Sequence, residues 1–132
     1  MAAVKAFKTE YYPLSISEQQ EYGASIVKNP DGTYSFNNVS NSSMSAVDPL
    51  NMTDKERNTV SIDRSAPNSV GTIHTHWNPN GNLNFSNPRD YHEPSHVSQM
   101  YLINRNGEIY YSVRSKAPGN INGFMPGVYI GR

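Results

Sequence analysis

The sequence predicts an α+β fold in which a curved mixed or antiparallel sheet carries one or two short helices. Two turn signals, at residues 29–32 (Asn-Pro-Asp-Gly) and 104–107 (Asn-Arg-Asn-Gly), each separate two apolar runs and indicate hairpins. A third run, residues 69–76, is rich in β-branched residues and ends in two histidines. Apolar residues make up 36% of the chain and charged residues 17%, which favours a loop-rich, strand-based fold over a helical bundle.

Length and composition exclude several classes of protein. The 132 residues suit one domain, which we divide into an N-terminal arm (1–16), a motif-bearing core (17–113) and a C-terminal tail (114–132). A formal net charge of zero argues against nucleic acid or membrane partners, and the absence of cysteine excludes disulfides, thiolate zinc sites and cysteine nucleophiles. No apolar stretch approaches ~20 residues, and no secretory signal is recognisable. We therefore expect a cytoplasmic protein, or one delivered by a secretion system that needs no signal peptide.

The first half of the chain is expected to contain one hairpin and little helix. The N-terminal arm is expected to pack on the body as a short strand, and the capping-box spacing of residues 17–20 predicts that a helical turn begins there. Residues 21–28 and 33–39 are the predicted hairpin strands. Residues 40–58 are expected to form a loop with one helical turn after Thr53, and residues 59–62 a short strand.

The second half begins with the predicted histidine strand, residues 69–76, and a long loop, residues 77–85. Residues 86–90 predict a helix start, with Asn87 as the cap and Pro88 at the first helical position, and residues 95–99 are expected to continue that helix. Residues 99–103 and 108–113 are the second hairpin, and residues 128–130 an edge strand.

The two histidines are the strongest chemical signal in the chain. Alternation along a strand points His74 and His76 to one face, about 6–7 Å apart, so both can bind one metal ion. Asp90 is the nearest plausible third ligand, and such a triad leaves a fourth position for water. A base is then needed, and Glu21, at the start of a neighbouring strand, is favoured over Glu18. The plainer alternative is a histidine pair that hydrogen-bonds locally, with Glu21 as an ordinary surface residue.

These residues resemble the JAB/MPN metalloproteases and their JAMM motif. The similarity rests on the run Gly-Thr-Ile-His-Thr-His at 71–76, the Phe-Ser at 85–86, Asp90 at a helix start, and Glu21 opening a hairpin. Residues 21–26 and 31–35 are similar to the first hairpin of the bacterial JAB-like domains of Rhs-type and other polymorphic toxins. The resemblance spans about residues 18–113. It implies a cytidine-deaminase-like α+β architecture.

The resemblance also implies an activity and a partner set. It implies Zn²⁺ at His74, His76 and Asp90, proton transfer by Glu21, and hydrolysis of peptide or isopeptide bonds in a protein or peptide substrate. The setting would be an effector or toxin module with an immunity protein. Two alternatives remain open: an inactive JAB-like module that binds metal or protein, and a metal-dependent nuclease toxin, which the neutral charge disfavours.

Some positions depart from the family pattern. The oxyanion-binding serine of the family stands three positions before the aspartate, whereas Ser86 stands four before Asp90 and Asn87 holds the usual spacing. Either the Asn87 amide donates to the oxyanion, or a one-residue bulge brings Ser86 into reach. Trp77 replaces a frequent proline and is expected at the rim of the cleft.

Two further histidines lie close to Asp90 in the sequence. His92 and His96, four apart on the predicted helix, are expected to share a face, as accessory ligands or substrate contacts or, more plainly, as surface residues.

Overall fold

The computed structural model describes residues 1–132 and contains one six-stranded mixed sheet with a long N-terminal helix. The expected α+β class is confirmed. The sheet order is β2-β1-β3-β4-β5-β6. The helices are α1 (Ala2–Glu18) and α2 (Asp54–Arg57), and the strands are β1 (Tyr22–Lys28), β2 (Tyr34–Asn41), β3 (Ser69–Thr75), β4 (Gln99–Ile103), β5 (Ile109–Val113) and β6 (Val128–Gly131). No helix combines the length and the apolar content that crossing a membrane requires.

Both predicted hairpins and the predicted edge strand are confirmed. β1 and β2 are antiparallel and turn through Gly32, and β4 and β5 are antiparallel and turn through Gly107; both glycines have positive φ, 86° and 74°. β6 pairs with β5 at one edge of the sheet. The histidine strand, β3, lies in the middle, antiparallel to β1 and parallel to β4. A central strand has both edges paired, so its side chains are held firmly in place.

The prediction for the N-terminus was wrong. Residues 1–16 do not form a strand and no helix begins at residue 17; instead α1 runs through this region for 17 residues, with Pro13 inside it, and ends at Gln19 in a left-handed conformation (φ 55°). Val4, Phe7 and Tyr11, spaced by three and four positions, turn one face of the helix to the core, where Phe7 is fully buried. Burial of that face outweighs the cost of Pro13 within the helix.

The sheet separates two apolar clusters, one on each face. On the face covered by α1, which we call the α1 face, Ile73 and Ile103 pack with Phe7. On the opposite face, the loop face, Met100 and Leu102 pack under residues 85–97. Because strand side chains alternate, the neighbours of Ile73 point to the loop face. That alternation places His74, and His76 just beyond the end of β3, on the side where the connection from β3 to β4 crosses the sheet.

Two other predicted elements are absent, and one is present. Residues 59–62 form no strand, because the carbonyls of Ser61 and Asp63 accept hydrogen bonds from the hydroxyls of Ser40 and Ser25 instead of joining a backbone ladder. The predicted helix through residues 86–99 is reduced to one 3-10 turn, Arg89–Tyr91, and residues 95–98 are irregular. The helical turn after Thr53 is confirmed as α2, with a complete capping box.

Candidate metal centre

Three ligand atoms meet at one point on the loop face. His74 Nε2 lies 3.1 Å from His76 Nε2 and 3.3 Å from Asp90 Oδ2, and His76 Nε2 is also 3.3 Å from Asp90 Oδ2. These three residues can hold a metal ion. Both histidines are buried, each 8% exposed. The triangle is therefore built within the fold and is not a chance cluster of surface side chains.

The triangle has the size that a tetrahedral metal site requires. With ligands at ~2.0–2.1 Å from the ion, the edges of a tetrahedron are about 3.3–3.4 Å. The observed edges of 3.1, 3.3 and 3.3 Å are close to that value. Two nitrogens and one oxygen are also ligand types that a borderline metal accepts. The residues present thus fit a metal ion with three protein ligands.

A hydrogen bond to the backbone of Asn82 orients the His76 ring. Its Nδ1 lies 2.9 Å from the carbonyl oxygen of Asn82, a contact in which Nδ1–H donates. In the neutral ring that tautomer leaves a lone pair on Nε2, the atom that faces Asp90. The end of β3 is fixed too, since the His76 amide donates to the Ile103 carbonyl at 2.9 Å and the Thr75 hydroxyl lies 2.6 Å from the Ser15 hydroxyl of α1.

Asp90 is positioned by a tight turn that begins at Ser86. The Ser86 amide donates to Asp90 Oδ2 at 2.7 Å, and the Asp90 amide donates to the Ser86 carbonyl at 2.8 Å. The peptide bond between Asn87 and Pro88 within this turn is cis. The pattern of four positions from serine to aspartate therefore produces a turn that holds the carboxylate in place.

The charges of the metal-free site are strongly coupled. Burial raises the pKa of Asp90, but the imidazoles of His74 and His76 outweigh burial and hold it well below its ordinary value. Burial lowers the pKa of His74, but the carboxylates of Asp90, Glu21 and Glu93 together outweigh burial and raise it above its ordinary value. Without a metal the site therefore stabilises positive charge beside Asp90, and a divalent cation would replace a proton there.

Glu21 lies beside the triad and is nearly buried. It directly precedes β1, whose Gly23 is paired with His74 of β3, and it is 8% exposed. Burial raises its pKa to about 8, with the His74 charge opposing and the Asp90 charge adding to the shift. Glu18, the rival residue, is exposed at the end of α1, and its carboxylate accepts hydrogen bonds from Tyr22 and Gln20. Of the two acids, Glu21 is the one that the structure brings to the triad.

Two adjoining clefts open on either side of the triad. One, of about 140 Å³, is lined by His74 and Asp90; the other, of about 280 Å³, is lined by His76 and Trp77. The walls that both clefts share are formed by Glu21, Asn58, Ser86 and Arg89. The triad therefore lies between the two clefts, and Glu21 lines both of them.

The other predicted site residues are divided between the clefts and the surface. Ser86 is half-buried in the shared wall, and its hydroxyl oxygen accepts a hydrogen bond from the Asn82 amide group at 3.2 Å. Asn87 is exposed and lines neither cleft; it does not cap the 3-10 turn, which follows Pro88 without a side-chain cap. Trp77 lies at the rim of the larger cleft and donates from Nε1 to the Arg57 carbonyl at 2.8 Å.

The prediction that His92 and His96 share a helical face was wrong, because the turn ends at Tyr91 and His92 is extended. His92 lines the smaller cleft, whereas His96 is exposed and its Nε2 lies 3.0 Å from the Arg64 carbonyl oxygen.

Sequence reasoning missed three charged residues of the cleft walls. Arg64 and Glu93 form an ion pair that closes one side of the smaller cleft, with a second contact of 2.9 Å between Nη2 and Oε2. Arg89 lines both clefts. The Arg64–Glu93 ion pair joins residues that are 29 positions apart in irregular segments, so no periodic sequence pattern predicts it. For Arg89 and Glu93 the one available signal was closeness in sequence to Asp90.

Compared with protein-family models, with curated proteins and with solved structures, the chain matches none of them.

Proposed function

We propose that the protein is a zinc-dependent hydrolase that cleaves peptide or isopeptide bonds. The observation that carries this proposal is the triangle of His74, His76 and Asp90 with a nearly buried acid, Glu21, in the same cleft. Metal-assisted hydrolysis requires a metal that keeps a position open for water, and a base beside it. A metal with three protein ligands and a neighbouring buried carboxylate meet these two requirements. The two clefts supply room for the substrate on both sides of its scissile bond.

Zinc is the metal that the donor set favours. Two imidazoles and one carboxylate make a typical catalytic zinc site, with one position left for water or substrate. When bound there, zinc would act as a Lewis acid that lowers the pKa of water and polarises the scissile carbonyl. The hydrogen bond from His76 to the Asn82 carbonyl is the kind of outer contact that such ligands carry.

Glu21 is proposed as the residue that moves the proton. Its carboxylate takes the proton of the attacking water and delivers it to the departing nitrogen, so that water adds across the broken C–N bond. A carboxyl group with a pKa of about 8 in the metal-free protein is poised to hold a proton near neutral pH. A nearby cation would lower that pKa and favour the ionised form that accepts the proton.

Ser86 is proposed to support the oxyanion, in preference to Asn87. Its side chain is in the shared wall of both clefts, whereas Asn87 is exposed and lines neither cleft. The hydroxyl accepts from Asn82 and keeps its own proton for donation. A hydroxyl proton directed at the carbonyl oxygen would stabilise the charge that develops during attack.

We also propose that the chain belongs to the JAB/MPN family. The elements that support it are the His-x-His at the end of a central strand, the acid that opens the antiparallel neighbouring strand, and the aspartate on a short turn after a loop. An effector or toxin module, with a protein or peptide substrate and an immunity protein, is the setting proposed by the same analogy.

The proposal is tested by cleavage of a peptide library from a digested proteome and of a Lys-linked isopeptide. Zinc-loaded protein should cleave one of them in a chelator-sensitive manner. Glu21→Gln should retain zinc and lose turnover, whereas the matched change Glu18→Gln should retain both. Turnover that survives Glu21→Gln would remove Glu21 from the mechanism.

A non-catalytic metal-binding module is the second candidate. The observation that favours it is the spacing of four positions from Ser86 to Asp90, which departs from the three positions of the family pattern. Such a module would bind zinc and leave both substrates intact. A nuclease finds less support, since the cleft walls contain one arginine without an acidic partner and no basic stripe.

A further inference from the structure

The two arginines of the clefts are in different electrostatic states. Arg64 is neutralised by Glu93, with which it forms two nitrogen–oxygen contacts, and Nη1 donates to the Ile62 carbonyl at 2.7 Å. Arg89 forms no ion pair within the protein. Its one side-chain hydrogen bond runs from Nη2 to the Thr59 hydroxyl at 2.7 Å, which leaves its other N–H groups free of protein acceptors.

Arg89 is also close to the reaction centre. It directly precedes Asp90, belongs to the wall that both clefts share, and its positive charge lowers the pKa of Glu21 against the effect of burial. The residue is exposed, so a bound molecule can reach it. The guanidinium thus presents unused donors where the substrate would pass from one cleft to the other.

We propose that Arg89 binds a carboxylate of the substrate adjacent to the scissile bond, so that the enzyme selects acidic segments. This inference rests on the hydrolase function proposed above. A guanidinium presents N–H groups in a planar fork that matches a carboxylate, and charge-assisted hydrogen bonds of this kind are the stronger ones. Arg89 is a specificity residue in this account and takes no part in proton transfer.

A carboxylate fits better than a phosphate chain. A nucleic acid backbone requires several cations along its path, but Arg89 is the one arginine in these walls without an acidic partner. The guanidinium of Arg89 can donate a pair of hydrogen bonds to one carboxylate. The carboxylate can come from an Asp or Glu side chain or from the C-terminus of a peptide, and the two sources can be separated by experiment.

Binding is measured first, because it does not depend on turnover. The probes are acetyl-Glu-amide against acetyl-Gln-amide, for a side-chain carboxylate, and acetyl-glycine against acetyl-glycinamide, for a terminal one. Titrated into the zinc-loaded protein, one acid should bind at least about tenfold more tightly than its amide. Arg89→Gln should abolish most of that ratio, and Arg89→Lys should retain part of it. The control Lys55→Gln, which removes a surface charge outside both clefts, should leave the ratio unchanged.

An acid-to-amide ratio that is the same in Arg89→Gln would overturn the inference, because the zinc ligands remain in that variant. The peptide library adds a second readout: cleavage sites should be enriched in acidic residues at one position, or lie next to the C-terminus, and Arg89→Gln should remove the enrichment. Cleavage without any Arg89-dependent preference refutes the carboxylate site alone. An Arg89-dependent ratio in a protein that cleaves nothing supports the carboxylate site and refutes the hydrolase.

Discussion

Replacing Glu21 by Gln should stabilise the metal-free protein, and the gain should grow with pH. The Glu21 side chain is 8% exposed, and burial raises its pKa to about 8 from an ordinary value of 4.5. Gln has nearly the same shape but cannot ionise. The substitution therefore removes the cost of a buried carboxylate while changing the packing little.

The direction of this pH dependence follows from the pKa of Glu21 in the folded chain and its pKa in the unfolded chain. Below pH 4.5 Glu21 is protonated in both folded and unfolded chains, so its ionisation does not affect stability. Between pH 4.5 and pH 8 the unfolded chain releases the proton and the folded chain keeps it, so wild-type stability falls as pH rises. At about 1.36 kcal/mol per pH unit, the penalty reaches about 3 kcal/mol at pH 7, and Glu21→Gln avoids it.

Urea unfolding in the presence of chelator, at pH values from 4.5 to 7.5, measures this effect. The quantity to compare is the difference in unfolding free energy between Glu21→Gln and wild type at each pH. Glu18→Gln is the matched control, because its side chain is exposed at the end of α1. A difference for Glu21→Gln that stays constant over the pH range would refute the placement of Glu21 in a buried, desolvated site.

Three further predictions concern the oxyanion, the core and a cap. Ser86→Ala should lower kcat by about 10²–10³-fold, whereas Asn87→Ala should leave it near wild type, as measured by steady-state peptide cleavage. Phe7→Ala, which opens a cavity between α1 and the sheet, should cost about 3–5 kcal/mol in urea unfolding. Thr53→Ala removes the hydroxyl that accepts from the Glu56 amide and should cost about 1 kcal/mol in the same assay.

The sheet was largely predictable from the sequence because its signals are local. Turn residues with glycine at the position that needs positive φ fix both hairpins, and alternation fixes which side chains of β3 face together. The pairing of β3 with β4 in parallel was not deducible in detail, since it depends on a crossover through residues 76–98 that has almost no regular structure. The mixed character of the sheet follows from that crossover.

The helices were less predictable because tertiary burial decided them. The N-terminal arm was expected to form a short strand, yet α1 passes through Tyr11, Tyr12 and Pro13 because Val4 and Phe7 bury its inner face. In the segment around Asp90 a helix was predicted but is not formed. The favourable residues Asn87 and Pro88 are followed only by a 3-10 turn that ends at Tyr91. There Pro94 has no amide hydrogen to donate within a helix, and Val97 is buried in the cluster on the loop face.

The candidate site was predicted in its ligands and in two wall residues, Ser86 and Trp77, but not in the charged residues of its walls. His74, His76, Asp90 and Glu21 were each placed by a local element and do converge. The Arg64–Glu93 pair and the position of Arg89, which has no acidic partner, depend on how irregular segments meet, for which the sequence has no periodic signal.

Metal stoichiometry tests the central claim most directly. Wild-type protein loaded with zinc, passed through a desalting column and analysed by mass spectrometry for metal content, should hold one ion per chain. His76→Ala and Asp90→Ala should each hold far less, and Asn87→Ala should hold as much as wild type. Equal zinc content in wild type and in the two ligand variants would contradict the account, because the triangle of His74, His76 and Asp90 would then not be a metal site.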